Sequence, residues 1–425
     1  MFTTVSEPTA VRSPGRRGTT RGMICSVAAL VLVAGCGSSS TGSSSGANGN
    51  TAPSGGAPAG TAPAVSAADI DKTITTALGK SVPADSLPPL MKEALARASS
   101  TLTPAQLDKA FECWQKSSCT LGGGKITLAE ADGFGDNTWR KFSKMDVILQ
   151  ALTYPEVGKF IYTNAHGDLS QYQSAIRNLT AQGAKAIVAY NDFGPAAWPA
   201  FTAAQRSGAH ISTFVGPGDG APTSAITTRV QPDICEAGKV MAKTVKQAVG
   251  DAPVAYFTGT PGNPEDAGWQ KCATEAGVKS AFAADTNWTP AGAQTAASAL
   301  IASGKEPKAI LYSYSNPVPN IVKAFQKAGK PTPAIITWTT DNGTLCQLKQ
   351  SPYPLYLTNA LNWAARVSVT ATVAAVNGTS VPAAVTYPMP FKKADPADCD
   401  AGKPADYPGT SALVPTELVT KILGG

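Results

Sequence analysis

Histidine and charged residues are scarce in this chain of 425 residues, and so are the usual signatures of catalysis. Histidine occurs twice, at His166 and His210, and charged residues make up 15% of the sequence. There is no HExxH motif, no Cys-x-x-Cys pair and no serine elbow between a strand and a helix, and the glycines at 259 and 262 lack the lysine of a phosphate loop. The sequence therefore predicts no metal site, no cofactor and no catalytic centre, although catalytic groups can converge from distant segments.

A large excess of one charge is absent too. The formal net charge is +6, and half of it comes from the first 35 residues, where four arginines meet one glutamate. The remaining lysines and arginines are scattered without a basic run, so the sequence predicts no nucleic-acid partner. A hydrophobic content of 43% is enough for a sizeable core, and the length favours two domains.

The N-terminus has the pattern of an export signal, which we assign to residues 1–35. A basic start precedes an apolar run over residues 23–35. As a helix this run spans about 20 Å, less than the roughly 30 Å of a bilayer core. Val33-Ala34-Gly35-Cys36 resembles the lipobox of bacterial lipoproteins, and this resemblance implies cleavage before Cys36 and attachment of lipid to it. The alternative is an ordinary secretory signal that happens to end beside a cysteine.

Three further segments follow from composition and periodicity. Residues 36–66 consist almost entirely of Ser, Gly, Ala, Thr and Pro, which predicts a flexible linker. Residues 67–123 show helical periodicity and form a predicted helical extension. Strand and helix patterns then alternate, and the alternation restarts after Val230, which predicts an α/β fold of two doubly wound, three-layer lobes joined by a hinge. We assign 124–229 plus about 361–386 to the first lobe and 230–360 plus about 387–425 to the second.

The cysteines after Cys36 are even in number, which favours disulfides in an exported protein. Connectivity does not follow from sequence alone, and pairing neighbours in chain order is the least demanding arrangement. The predicted pairs are Cys113 with Cys119, Cys235 with Cys272, and Cys346 with Cys399.

Several short stretches, in order and with consistent spacing, resemble a known family. They include Ile126-Thr127-Leu128-Ala129-Glu130 leading to Asn137-Thr138-Trp139, then Asp168-Leu169-Ser170-Gln171-Tyr172-Gln173, and later Tyr256-Phe257-Thr258-Gly259 and Asn287-Trp288-Thr289. Over roughly residues 125–390 the chain resembles a sugar-class substrate-binding protein of a bacterial ABC importer, of the ribose-binding kind with the periplasmic-binding-protein type I fold. The resemblance implies capture of a sugar or sugar-like small polar molecule between two lobes and its delivery to an ABC permease.

In open α/β sheets the ligand lies beyond the carboxyl ends of the strands, so the loops after the strands supply the candidate binding residues. By the resemblance, Trp139 and Trp288 take positions where the family places aromatic rings that stack on the ligand. Asn137, Asn191 and Asp192 have an alternative interpretation as turn or helix-cap residues. The candidates are Asp132, Phe134, Asn137, Trp139, Asn191, Asp192, Trp269, Asn287, Trp288, Tyr314, Asn316, Asp341, Asn359 and Asn362. For Trp114, Trp198 and Trp338 we favour core packing.

The predicted function is therefore that of a monomeric solute-binding lipoprotein, not an enzyme, held by its lipid anchor on the extracytoplasmic face of the cell membrane. Two alternatives stay open: a lipoprotein that senses a ligand for a membrane receptor, and a surface enzyme that acts on saccharides. Lobe closure would pivot on crossing strands, which we expect near residues 229–231, 359–362 and 386.

Overall fold

The computed structural model describes residues 65–216, 220–408 and 412–424. The predicted signal segment, Cys36 and all but the last two residues of the predicted linker lie outside the described residues. No helix among the described residues has the length and apolar composition needed to span a bilayer.

Helices and strands alternate along most of the described chain. The helices are α1 (Ala67–Leu78), α2 (Pro89–Ala98), α3 (Pro104–Gln115), α4 (Thr138–Ala151), α5 (Leu169–Ala181), α6 (Trp198–Arg206), α7 (Ile234–Val249), α8 (Pro264–Glu275), α9 (Pro290–Ala302), α10 (Val318–Lys327), α11 (Asn342–Gln350), α12 (Ala364–Val376) and α13 (Thr416–Ile422). The strands are β1 (Ser118–Thr120), β2 (Ile126–Asp132), β3 (Val157–Asn164), β4 (Ala186–Tyr190), β5 (His210–Phe214), β6 (Thr228–Pro232), β7 (Val254–Thr258), β8 (Ser280–Asp285), β9 (Ala309–Tyr312), β10 (Ala334–Thr337), β11 (Leu355–Leu357), β12 (Ala384–Tyr387) and β13 (Lys392–Lys393).

The strands form two separate sheets, one for each lobe. The first has the order β1-β3-β2-β4-β5-β6-β12 and the second the order β13-β11-β10-β9-β7-β8. All pairings are parallel except those of the short edge strands β1 and β13. Helices pack on both faces of each sheet, for example α12 and α5 on the first, and α7 and α9 on the second. The predicted fold of two doubly wound α/β lobes is confirmed.

Local sequence explains why these elements form. All five residues of β4, and all five of β7, are buried, as expected for strands covered by helices on both faces. Side chains at the strand ends then start the helices: Asn137 accepts a hydrogen bond from the Arg140 amide, and Asp341 accepts one from the Thr344 amide. The turns into α4 and α11 are thus specified within a few residues.

Between β6 and β13 the chain passes between the lobes three times, and a further passage returns it to the first lobe before α13. The first crossing lies between β6 and α7, the second at residues 358–363, and the third at residues 388–391. These positions are close to the expected ones. The second crossing leads directly into α12, which packs against β4, β5 and β6 of the first sheet.

Two elements belong to a different part of the structure from the one to which we assigned them by sequence. Strand β1, within the predicted helical extension, pairs antiparallel with β3 and so belongs to the first sheet. Helix α13, assigned above to the second lobe, contacts α3 and α4 on the first lobe and buries Leu418, Val419 and Ile422 there. An amphipathic pattern shows that a helix must be covered on one face but carries no information about which lobe covers it.

The structure contains the three disulfides predicted from chain order. Cys113 joins Cys119, Cys235 joins Cys272, and Cys346 joins Cys399. The first ties α3 to β1, the second α7 to α8, and the third α11 to the C-terminal segment. Their sequence separations of 6, 37 and 53 residues differ widely. The three disulfides should therefore lower the conformational entropy of the unfolded chain by different amounts.

Removing the Cys346–Cys399 disulfide with paired alanine substitutions should lower the free energy of unfolding by about 4 kcal/mol, because a long loop of the unfolded chain is released. The same change at Cys113 and Cys119 should cost about 2 kcal/mol, since the loop is short. Guanidinium denaturation of the two double variants measures both. An equal or larger loss for the short loop would show that packing around Cys113, not loop closure, controls the effect.

Candidate ligand-binding site

A cavity lies between the carboxyl ends of the strands of the two sheets. The volume of this cavity is about 80 Å³, which suits a small solute. Both lobes and the second crossing contribute to its wall. The lining residues are Asn137, Trp139, Arg140, Tyr190 and Val215 from the first lobe, Glu265, Trp288, Ser313, Tyr314, Trp338 and Thr339 from the second, and Leu361 from the crossing.

The first turn of α4 carries one aromatic wall. Because Asn137 caps this helix, Trp139 and Arg140 are both placed at the cavity. The Trp139 Nε1 donates to the Ala360 carbonyl at 2.6 Å, which fixes the indole against the second crossing. Its ring also meets the edge of Tyr190 at 5.9 Å and lies nearly parallel to Phe214 at 6.4 Å.

Arg140 forms the electrostatic centre of the first-lobe wall. Its Nη1 lies 2.6 Å from Asp132 Oδ1, and its Nη2 lies 2.7 Å from Asp192 Oδ1. The guanidinium carbon is 3.0 Å from the centroid of the Tyr190 ring. Burial alone lowers the pKa of Arg140, but Asp132 and Asp192 together outweigh burial and raise it above its ordinary value. The group therefore stays charged and fixed in one orientation.

The two carboxylates keep unused hydrogen-bonding capacity. Asp132 Oδ2 and Asp192 Oδ2 are buried and have no hydrogen-bond partner among the described residues. Burial raises the pKa of Asp132 to about 6, although the charge of Arg140 opposes the shift. Buried acceptors of this kind normally have a partner, so a hydroxyl group or a water molecule would be stabilised next to them.

The second lobe supplies the opposite aromatic wall. The Trp288 Nε1 donates to Ser313 Oγ at 3.0 Å, and its backbone amide donates to Thr286 Oγ1 at 3.1 Å. Gly259 allows the indole to lie against the end of β7, because a Cβ on this residue would stand 2.0 Å from the ring. The Gly259 amide in turn donates to Asp266 Oδ2 at 2.7 Å.

Backbone strain is concentrated around the cavity. Four of the six described non-glycine residues with positive φ line it: Val215 at 48°, Trp288 at 51°, Thr339 at 62° and Leu361 at 65°. Such conformations cost about 1–3 kcal/mol each and persist only where the surrounding structure enforces them, which is common at ligand sites. The walls are therefore held in place by the lobes behind them.

The structure brings many of the sequence-derived candidates together. Asn137, Trp139, Trp288 and Tyr314 line the cavity, and Asp132 and Asp192 stand behind Arg140. A smaller adjoining cavity is lined by three more candidates, namely Asn316, Asp341 and Asn362. There the Asp406 carboxylate connects the lobes, since it accepts from Asn316 Nδ2 at 2.7 Å and from Thr138 Oγ1 at 2.9 Å.

Besides Asp132 and Asp192, five candidates line neither cavity. Trp269 is fully buried and donates to Asp266, while Asn191 shapes its own turn by bonding the backbone of Phe193 and Gly194. Phe134 is 43% exposed, and Asn287 is exposed as well. Asn359 donates to carbonyls of α1. Each of these five residues packs in the core, stabilises a turn, lies at the surface or contacts α1.

Sequence reasoning missed several lining residues. Arg140 had a local signal, because it follows Trp139 in the first turn of a predicted helix. Trp338 directly follows β10, and we assigned it to the core; it is 4% exposed, donates to Met241 Sδ and also faces the cavity. Tyr190 and Ser313 carry no signal that separates them from ordinary strand-end residues, and Glu265 resembles any acidic residue in the first turn of a helix.

Comparison with known proteins agrees with this architecture. A family model described as a periplasmic binding protein domain matches residues 133–380. No curated protein matches the chain.

Many solved structures share the fold. The 5-methylthioribose transporter solute-binding protein of Thermotoga lettingae is 19% identical with a TM-score of 0.55, and the match covers 63% of this chain and 85% of that one. An ABC transporter solute-binding protein of Bacillus halodurans with bound myo-inositol is 15% identical, with a TM-score of 0.57 and coverage of 65% and 96%. One from Mycobacterium smegmatis with bound glycerol is 14% identical, with a TM-score of 0.57 and coverage of 67% and 99%.

The two-lobed α/β architecture, the cavity between the carboxyl ends of both sheets and a family match over more than half of its length lead to one assignment: the chain belongs to the periplasmic binding protein domain family.

Proposed function

We propose that this protein is an extracytoplasmic solute-binding protein that captures a sugar or sugar-like small polar molecule between its lobes and delivers it to an ABC permease. The observation that carries the proposal is the cavity itself, which receives an indole wall from each lobe and polar groups between them. The solved relatives named above are described as transporter solute-binding proteins, and two of them hold a polyol.

The chemistry of the wall suits a sugar or polyol. Trp139 and Trp288 offer flat apolar area on which the C–H face of a sugar ring packs, with little rotamer entropy to lose. The guanidinium of Arg140, which lines the cavity and is held from behind by Asp132 and Asp192, donates hydrogen bonds. A molecule with one apolar face and several hydroxyl groups satisfies both kinds of surface.

Closure of the lobes follows from the divided wall. Because each lobe carries part of the cavity, a solute makes all its contacts only when the lobes are together, and it therefore stabilises the closed state over the open one. The Asp406 carboxylate adds a direct link between the lobes in this arrangement. A lipoprotein that reports a solute to a membrane receptor would use the same closure, and delivery is favoured because the relatives are described as transporter components.

The N-terminal segment completes the proposal. Export directed by residues 1–35 and lipidation at Cys36 would tether the monomer to the outer face of the membrane. The linker over residues 36–66 would have a root-mean-square reach of roughly 30 Å, which keeps the folded body close to a membrane permease.

The cognate solute should raise the stability of the soluble form that begins at Gly37. We expect an increase in the free energy of unfolding of about 2.7 kcal/mol at one hundred times the dissociation constant. Thermal unfolding against a panel of myo-inositol, glycerol, D-allose, L-arabinose and 5-methylthioribose measures this. The bound solute should be recovered chemically unchanged after release. Conversion of the solute would contradict a binding function and support the enzyme alternative.

Replacing either Trp139 or Trp288 by alanine should weaken binding of the solute found in this panel by roughly tenfold or more, because a stacking surface is lost. Isothermal titration calorimetry measures the dissociation constants. Trp198→Ala is the matched control, since this indole lies on the first lobe away from both cavities. Equal affinities for all three variants would mean that the solute binds elsewhere.

Solute affinity should fall as the pH is lowered from about 7 to about 5. The pKa of Asp132 is raised to about 6, so the carboxylate is ionised above this pH and holds Arg140, and it is protonated below it. Asp132→Asn should bind weakly at neutral pH and lose this pH dependence. Asp341→Asn is the control, because burial also raises the pKa of Asp341 to about 6 but its carboxylate bonds Ser315 and Thr344. A pH step that disappears only in Asp341→Asn would assign the effect to the adjoining cavity.

A further inference from the structure

The helical extension reaches the second crossing through the end of its first helix. Asn359 Nδ2 donates to the carbonyls of Thr76 and Ala77 at 3.2 and 3.0 Å. Trp363 Nε1 donates to the Ala77 carbonyl at 3.0 Å. The last carbonyls of a helix have no partner within the helix, so the crossing caps α1 while α1 holds the crossing.

Apolar packing reinforces these hydrogen bonds. Ile74 and Leu78 of α1 are buried in the same core cluster as Leu361 and Trp363 of the crossing. Trp363 is itself fully buried, and its ring lies 4.9 Å from that of Tyr387, the residue that precedes the third crossing. Helix α1 is therefore packed where the second and third crossings come together.

The same crossing holds the indole wall of the cavity. The Ala360 carbonyl accepts from Trp139 Nε1 at 2.6 Å, and Asn362 Nδ2 donates to the Trp139 carbonyl at 2.7 Å. Leu361 lies between these two residues in a left-handed conformation and lines the cavity. A shift of residues 359–363 would therefore move Trp139 at both its ring and its backbone.

We propose that α1 is a brace for the second crossing, and that Asn359 and Trp363 are positioning residues that set the orientation of Trp139 through it. The significance of the brace for solute binding rests on the proposed function, because Trp139 matters to affinity only if the cavity holds the solute. The family match begins at residue 133, and the three solved relatives named above cover 63–67% of this chain. The brace thus lies in a segment that the family model does not include.

The orientation of Trp139 can be measured without any solute. The mature chain is labelled with 5-fluorotryptophan, which reports on its tryptophans by fluorine NMR, and the Trp139 resonance is assigned by its loss in Trp139→Phe. Asn359→Ala removes both amide hydrogen bonds to α1 and should shift or broaden the Trp139 resonance by more than its linewidth. Trp363→Phe keeps most of the ring but loses the Nε1 donor, and it should affect the same resonance.

The matched control is Asn377→Ala at the end of α12, where the amide bonds the exposed Glu156 carboxylate at 3.1 Å. It should leave the Trp139 resonance unchanged. If Asn359→Ala and Trp363→Phe lower the melting temperature but leave this resonance in place, the extension has a purely structural role and the proposal is overturned. Should Asn359→Ala fail to fold, Trp363→Phe decides alone. A moved resonance together with a panel in which no solute binds would support the brace and count against the proposed function.

Discussion

The ion bridge of Arg140 to Asp132 and Asp192 is the interaction on which the first-lobe wall of the cavity depends. Removing charges from water costs several kcal/mol, and loss of one partner of a buried pair typically costs about 3–5 kcal/mol. Asp132 ends β2, Asp192 follows β4, and Arg140 lies in the first turn of α4. The bridge therefore fixes three elements against each other at the place where Trp139 and Tyr190 face the cavity.

The second-lobe wall achieves the same rigidity without charge. Trp288 is held by Ser313, by Thr286 and by its close approach to Gly259. Left-handed residues on both walls show that packing overrides local backbone preference there. Rigid walls reduce the entropy lost when a solute is ordered between them, so any lobe motion that admits a solute would have to occur at the crossings. A helix that holds one crossing in place would therefore affect both the position of the cavity walls and the movement of the lobes.

The candidate residues from the sequence divide between the cavities and other positions for one physical reason. Asn, Asp and Trp at strand ends are favoured by helix capping and core packing as well as by ligand binding. Asn137 combines a cap with a cavity position, whereas Asn191 only shapes its own turn and Trp269 only fills the core. Asn359, a ligand candidate by its position after a strand, bonds α1 instead. The local sequence shows that a strand ends in a polar or aromatic residue, but it does not predict the direction in which that side chain points.

The sequence by itself determined the secondary-structure elements and the two α/β lobes, whereas the pairing of the cysteines was one of several arrangements that it left open. The elements and lobes follow from apolar runs, caps and spacings within short windows, where the interacting residues are neighbours. Only the tertiary structure decided which side chains line the cavity, that α13 packs on the first lobe, and that α1 holds the second crossing. Asn359 and Thr76 are 283 residues apart, and such contacts depend on how whole elements are placed in space, which no local pattern encodes.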